Sequence, residues 1–242
     1  MMVHIYKDTS ELLSGLAAFF VKSAREAIEN HGQFNVALSG GNSPKKLYEL
    51  LASEEFRQQV AWDKVYFFFG DERYVPADDP ENNARMAREA MFAPLHIPEA
   101  QIFKVDTMLP PEQAAETYEK RLNGHFNGNP ARFDLILLGL GDDAHTASLF
   151  PGTPVLQEQA ASVKAVFLES KQVYRISLTA PLINQAKDVA FLVYGAGKAN
   201  AVQQVLEGER NITKYPAQLV QPQQGDVHWF LDEAAAALLR NK

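Results

Sequence analysis

Residues 133–151 read FDLILLGLGDDAHTASLFP. The run from Asp134 to Leu138 is short and mostly apolar, as a parallel strand buried on both faces is. It breaks at Gly139 and Gly141 and passes into two acids and a histidine. Read as GLGDDA, residues 139–144 also fit G-x-G-x-x-A, the opening of many dinucleotide-binding folds. That reading needs a long helix after the turn, with the pyrophosphate at its N-terminus. Pro151 and Pro154 end any helix here within about two turns. The acidic residue expected about 20 positions on falls at Glu158, in the polar stretch LQEQ with no strand before it. Most of the strand–helix pattern also lies upstream of the motif. The context argues against NAD, and attention moves to His145.

Outward from this strand, short apolar runs alternate with amphipathic stretches. Residues 10–30 predict a helix capped by Ser10, with Leu13, Leu16, Phe20 and Ala24 on one face. NVALSG (35–40) predicts a strand, and SPKKLYELLAS (43–53) a helix with Ser43 at N-cap and Pro44 at N1. KVYFFFGDER (64–73) predicts one strand ending in charge. Residues 82–95 and 111–126 predict helices, and VKAVFL and VYRISL two strands joined by a turn at Glu169–Gln172. A last strand, 188–198, precedes a helix at 199–208. The alternation predicts an α/β fold: a mostly parallel, Rossmann-like sheet with helices on both faces. No repeat, low-complexity segment or linker divides the chain, so 1–242 is expected to be one domain.

Composition narrows the function classes. At 242 residues with 46% hydrophobic content the chain can build a real core. Its net charge of −7 argues against nucleic-acid binding through a generally basic surface. With no cysteine, disulfides, thiolate metal sites and a cysteine nucleophile are excluded. No signal-peptide pattern opens the chain and no apolar run reaches the ~18 residues of a membrane span. A soluble cytoplasmic protein is the expectation.

Four predicted strands end alike, in LSGGNS, FFFGDER, LLGLGDDAH and LVYGAGK. In open α/β sheets ligands bind beyond the carboxyl ends of strands. Gly40 and Gly41, then Asn42 and Ser43 at a helix start, suit a phosphate or carboxylate. This is not a Walker A loop, because G-x-x-x-x-G-K-[ST] is absent. Lys198 at a helix start opposes the helix dipole unless an anion binds there; it also reads as a solvated lysine. Arg73 reads as a bidentate anion clamp or as a surface partner of Asp71 or Glu72. Arg175 faces the crevice or pairs on the sheet. His145, after Asp142 and Asp143, reads as a carboxylate-oriented general base or as an ordinary loop histidine. A metal held by Asp142, Asp143 and His145 lacks a second histidine cluster, and a serine triad lacks its G-x-S-x-G elbow. No metal is expected.

GLGDDAHTASLFPGT resembles the G-x-G-x-D-G-H-T-A-S-L-F-P signature of bacterial 6-phosphogluconolactonases. LSGGNSPKKLYELL, FFFGDERYVPADDPENNARMA, YRISLT and LVYGAGKANAV resemble that family's other blocks in the same order, over roughly residues 36–218. The resemblance implies hydrolysis of 6-phospho-D-glucono-1,5-lactone and the fold of glucosamine-6-phosphate deaminases. It implies no organic cofactor, a small sugar-phosphate partner, and a monomer or homodimer. It implies His145 as base with Asp143 orienting it. Gly40, Gly41, Asn42, Ser43, Asp71, Arg73, Arg175 and Lys198 would then hold substrate and phosphate.

The nearest rival is a glucosamine-6-phosphate deaminase, which usually carries M-D-E-Y where this chain has GDER, and F-N-E-P where it has SLFP. A non-catalytic sugar-phosphate sensor is a second rival, but it needs a DNA-binding segment beyond the 34 or so residues before the first predicted strand. Two departures stand out. Asn82 replaces a frequent serine, and Ala144 replaces the family glycine. Ala144 is expected at negative φ, with the family's glycine relieving crowding.

Overall fold

The computed structural model describes residues 1–128 and 131–240. A six-stranded parallel sheet forms from β1 (Met2–Tyr6), β2 (Phe34–Leu38), β3 (Val65–Phe69), β5 (Leu135–Leu138), β8 (Asp188–Val193) and β9 (Asp226–Asp232). Its order is β1-β9-β8-β5-β2-β3. A smaller antiparallel sheet, β4-β7-β6, is built from β4 (Asp71–Arg73), β6 (Val163–Leu168) and β7 (Val173–Leu178). The helices are α1 (Thr9–His31), α2 (Asn42–Leu51), α3 (Asn83–Ala87), α4 (Pro111–His125), α5 (Ala180–Ile183) and α6 (Ala199–Leu206). None of the described helices is long and apolar enough to cross a membrane.

The central strands β2, β5 and β8 are mostly apolar because both faces are covered. Val36, Leu38, Phe67, Phe69, Leu135 and Leu137 pack with Leu12, Leu16 and Phe20 of α1. The alternate residues Ala37, Phe68, Ile136 and Leu138 pack with Tyr118 and Leu122 of α4 on the other face. There Phe191 and Trp229 stack with centroids 4.0 Å apart. From β2 the chain passes to its neighbour β3, and from β5 it proceeds to β8 on the opposite side. The connections diverge between β2 and β5, and this is where an open α/β sheet leaves a crevice beyond its strand ends.

Several local expectations are corrected. The cap of α1 is Asp8, whose carboxylate accepts from the N–H groups of Ser10 and Glu11, so the helix starts before Ser10. Gly41, at φ 104, precedes α2, and Asn42 rather than Pro44 is its first residue; Ser43 is inside the helix. The predicted strand 64–73 is two strands in different sheets. Gly70 joins them, its N–H donating to Leu38 O and its O accepting from Leu178 N–H. The predicted helix 82–95 is α3 followed by a π turn, Arg88–Phe92. Strands β1 and β9 and the short α5 had no sequence expectation.

Candidate active site

The strand ends that share a glycine-plus-polar pattern do converge. A cleft of about 300 Å³ is lined by Gly40, Gly41, Asn42 and Ser43 after β2, Asp71 and Arg73 in β4, His145 after β5, Arg175 in β7 and Lys198 before α6. Each expected binding residue therefore faces one space, and Asp143 stands behind His145. A larger groove of about 1050 Å³ adjoins it across Phe150 and Asp143. That groove holds a Lys164–Glu158 pair and shares Lys171 with the cleft, but it does not include His145, Arg73, Arg175 or Lys198. The smaller cleft is therefore the candidate site.

After Leu138 no helix begins, in line with the argument against a dinucleotide site. The chain instead makes a tight turn. Gly141 N–H donates to His145 O at 2.8 Å, and Ala144 N–H donates to Gly141 O at 2.9 Å. This turn folds His145 back beside Asp143, with 2.5 Å between Nδ1 and Oδ1. The hydrogen bond from His145 holds the Asp143 carboxyl down at about 2 against the cost of its partial burial. Asp143 is thus an anion at working pH and an acceptor for a proton on His145 Nδ1, the tautomer that leaves a lone pair on Nε2. Phe150 stacks on the imidazole at 3.9 Å and limits its rotation. Gly141 is required here, because a Cβ would collide with the His145 ring and the Asp143 carboxylate.

Ala144 lies at φ 61, in the left-handed region, which overturns the expectation of negative φ. The turn that returns His145 to Asp143 demands it. Alanine there costs about 1–2 kcal/mol. Glycine would relieve this, offset by about 0.4–1 kcal/mol of unfolded-state entropy and about 0.8 kcal/mol for the buried methyl. Ala144→Gly is therefore expected to leave Tm unchanged or slightly higher. The same change at Ala37, fully buried in β2, should lower it clearly. Equal losses at both positions by thermal melting would contradict the strain.

The cations are arranged around the cleft on separate elements. Arg73 and Arg175 are direct cross-strand partners in β4 and β7. Like charges directly opposite are unfavourable, and burial together with Arg73 pulls the Arg175 pKa down. Arg175 donates only to the Tyr174 carbonyl, at 3.2 Å, among its described polar contacts. The Arg73 guanidinium bonds the Glu81 carboxylate at 3.1 Å rather than that of Asp71 or Glu72. Lys198 bonds Asp142 at 2.6 Å, so an internal carboxylate already answers part of the charge predicted at this helix start. It also separates Asp142 from Asp143, and the two acids do not converge on His145 as a ligand set. Asp71 accepts from Ser148 Oγ at 2.7 Å.

Sequence reading missed Lys171 and Tyr194, which also line the cleft. Lys171 was legible only as a turn residue, and its Nζ lies 5.6 Å from the Phe150 ring centroid. Glu72, behind the cleft, was read only as a partner for Arg73. It is fully buried, and desolvation lifts its carboxyl to about 7. Between about pH 4.5 and 7 the folded protein holds this proton and the unfolded chain does not. The Glu72 contribution to stability therefore falls as pH rises through that window. In denaturant titrations at about pH 5 and pH 8, the wild type should lose stability relative to Glu72→Gln at the higher pH. A pH-independent difference would contradict this.

The family described as glucosamine-6-phosphate isomerases/6-phosphogluconolactonase matches residues 7–229, and the chain belongs to it. Within it, the 6-phosphogluconolactonase of Synechocystis sp. is 47% identical over 219 residues, spanning 89% of this chain and 88% of that protein. The 6-phosphogluconolactonase of Rattus norvegicus is 37% identical, spanning 98% and 93%. The solved 6-phosphogluconolactonase from Trypanosoma cruzi superposes with TM-score 0.88 at 29% identity, covering 99% and 97% of the two chains. A monomeric glucosamine-6-phosphate deaminase shares the fold, with TM-score 0.84 at 20% identity.

Proposed function

We infer that this chain hydrolyses 6-phospho-D-glucono-1,5-lactone to 6-phosphogluconate, the lactone-opening step of the pentose phosphate pathway. It is a hydrolase acting on a carboxylic ester bond. One observation carries the reading: His145, with Asp143 bonded behind it, and three cations, Arg73, Arg175 and Lys198, meet at a single cleft. The pair suits water activation and the cations suit a phosphate. The relatives named 6-phosphogluconolactonase support the same substrate.

The chemistry follows from the chain's own groups. Asp143 accepts the Nδ1 proton and stabilises the charge that forms on the ring. His145 Nε2 takes a proton from water as the oxygen attacks the lactone carbonyl. Stabilising the developing oxyanion falls to backbone N–H groups of the glycine-rich turns other than that of Gly141, which is bonded to His145 O. Collapse of the tetrahedral intermediate breaks the bond to the ring oxygen, and the imidazolium returns its proton to that oxygen. The product acid then releases one proton to solvent. Arg73, Arg175, Lys198 and the Gly40–Ser43 turn hold the phosphate, with Asp71 bordering the sugar. A charged sugar phosphate does not cross a bilayer unaided, so the enzyme works where the lactone forms. We read that place as the cytoplasm, and the enzyme as a single-domain monomer or homodimer.

The deaminase reading is tested beside it. Glucosamine 6-phosphate given to the purified protein is expected to release no ammonia above background. Ammonia release faster than lactone opening would overturn the proposal.

A further inference from the structure

We propose that Glu72 is a positioning residue for the anion-binding half of the cleft: its buried carboxylate fixes the backbone of Arg73, Asn83 and Ala84, and through Asn83 sets the path of the Gly40–Gly41 turn. The inference rests on the reading that this half of the cleft holds a phosphate.

Glu72 is the middle residue of β4, between Asp71 and Arg73, which line the cleft. Strand alternation turns Glu72 the other way, into the protein. There its Oε1 accepts from Arg73 N–H at 2.8 Å and Asn83 N–H at 2.7 Å, and its Oε2 accepts from Ala84 N–H at 3.0 Å. No ion pair to Glu72 exists among the described residues. A buried carboxylate without a cation is expensive, and desolvation raises its pKa accordingly. Such a group adds little to stability, so its presence points to geometry.

The geometry needs acceptors at both ends of one side chain. Above about pH 7, where Glu72 is ionised, three converging N–H groups suit a carboxylate, which has lone pairs on both oxygens and nothing to donate. An amide would set its NH₂ against one of them. The consequences reach the cleft by two routes. The first runs through the Arg73 backbone, which carries the guanidinium opposite Arg175. The second runs through Asn83, whose Nδ2 donates to Asp71 O at 2.9 Å. The Asn83 amide lies so close to Gly40 that a Cβ there would collide with it. Gly40 thus runs against a wall that Glu72 holds in place. Asn83 is nearly fully buried and does not line the cleft, so its role is to support the turn rather than to bind.

The test uses the full chain and two variants, Glu72→Gln and Asn83→Ala, with the double variant. Inorganic phosphate binding is measured by calorimetry. KM and kcat are measured on 6-phosphogluconolactone and on unphosphorylated gluconolactone. In each single variant, phosphate affinity is expected to fall, and KM for the phosphorylated lactone to rise, by roughly tenfold or more. Saturated kcat and the kinetics on the unphosphorylated lactone should stay close to wild type. The double variant should be no worse than Glu72→Gln alone, because the route through Asn83 begins at Glu72. Phosphate affinity and KM within about twofold of wild type would overturn the proposal. So would equal losses on both lactones, which mark general damage to the fold. If Glu72→Gln does not fold, Asn83→Ala decides by the same readings. A wild type that binds phosphate but opens neither lactone overturns the proposed activity, while the phosphate measurements still judge Glu72. A wild type that binds no phosphate overturns both.

Discussion

His145→Asn is expected to lower kcat by about 10²–10⁴ and leave apparent KM nearly unchanged. Asparagine retains hydrogen bonding but cannot take a proton from water. The expectation depends on which nitrogen is free. Asp143 is engaged with Nδ1 at 2.5 Å and is held ionised, with its pKa near 2. Only Nε2 is left to act as base. Because His145 stacks on Phe150 and does not pair with the cleft cations, its loss should spare substrate binding. Retention of most of kcat by His145→Asn in steady-state assays would remove it from the base role.

The second large effect is expected at the cations. Lys198→Ala and Arg73→Ala should each raise KM for the phosphorylated lactone by about 10- to 150-fold, the loss of one charge-assisted hydrogen bond of ~1.5–3 kcal/mol. Their present partners do not prevent this role. Glu81 and Asp142 are 72% and 81% exposed at the side chain, so both pairs are rim contacts that water screens. A phosphate can replace them at little cost. Unphosphorylated gluconolactone should be far less sensitive to either change. Equal losses on both lactones would place these residues outside the phosphate site.

Much of this arrangement was legible because the physics is local. Strands β2, β5 and β8 announce themselves as apolar runs that stop at glycine, and the polar residues after each stop end in one cleft. The hairpin of β6 and β7 followed from two apolar runs around the Glu169–Gln172 turn. What was missed depends on contacts across the chain. GDER reads as the tail of a strand, yet Gly70 lets the chain leave one sheet and join another. Strand β9 contains Asp226, His228 and Asp232 among its apolar residues, and only its pairing with β8 and β1 marks it as a strand. Ser10 and Ser43 looked like caps, but Asp8 reaches the free N–H groups first and Gly41 takes the left-handed turn before α2. The left-handed Ala144 could not be read from composition, because a closing hydrogen-bonded turn imposes it. Asp142 and Asp143 are neighbours in sequence, and only the fold assigns one to Lys198 and the other to His145.

The central claim is that a histidine-activated water opens the lactone of a phosphorylated sugar acid in this cleft. It is tested most directly by acid release in a pH-stat with freshly generated 6-phosphogluconolactone. The spontaneous rate is measured without protein and subtracted. Saturable release of one proton per lactone is expected, far above the spontaneous rate and faster than on unphosphorylated gluconolactone at equal concentration. Acid release no faster than the spontaneous reaction would contradict it.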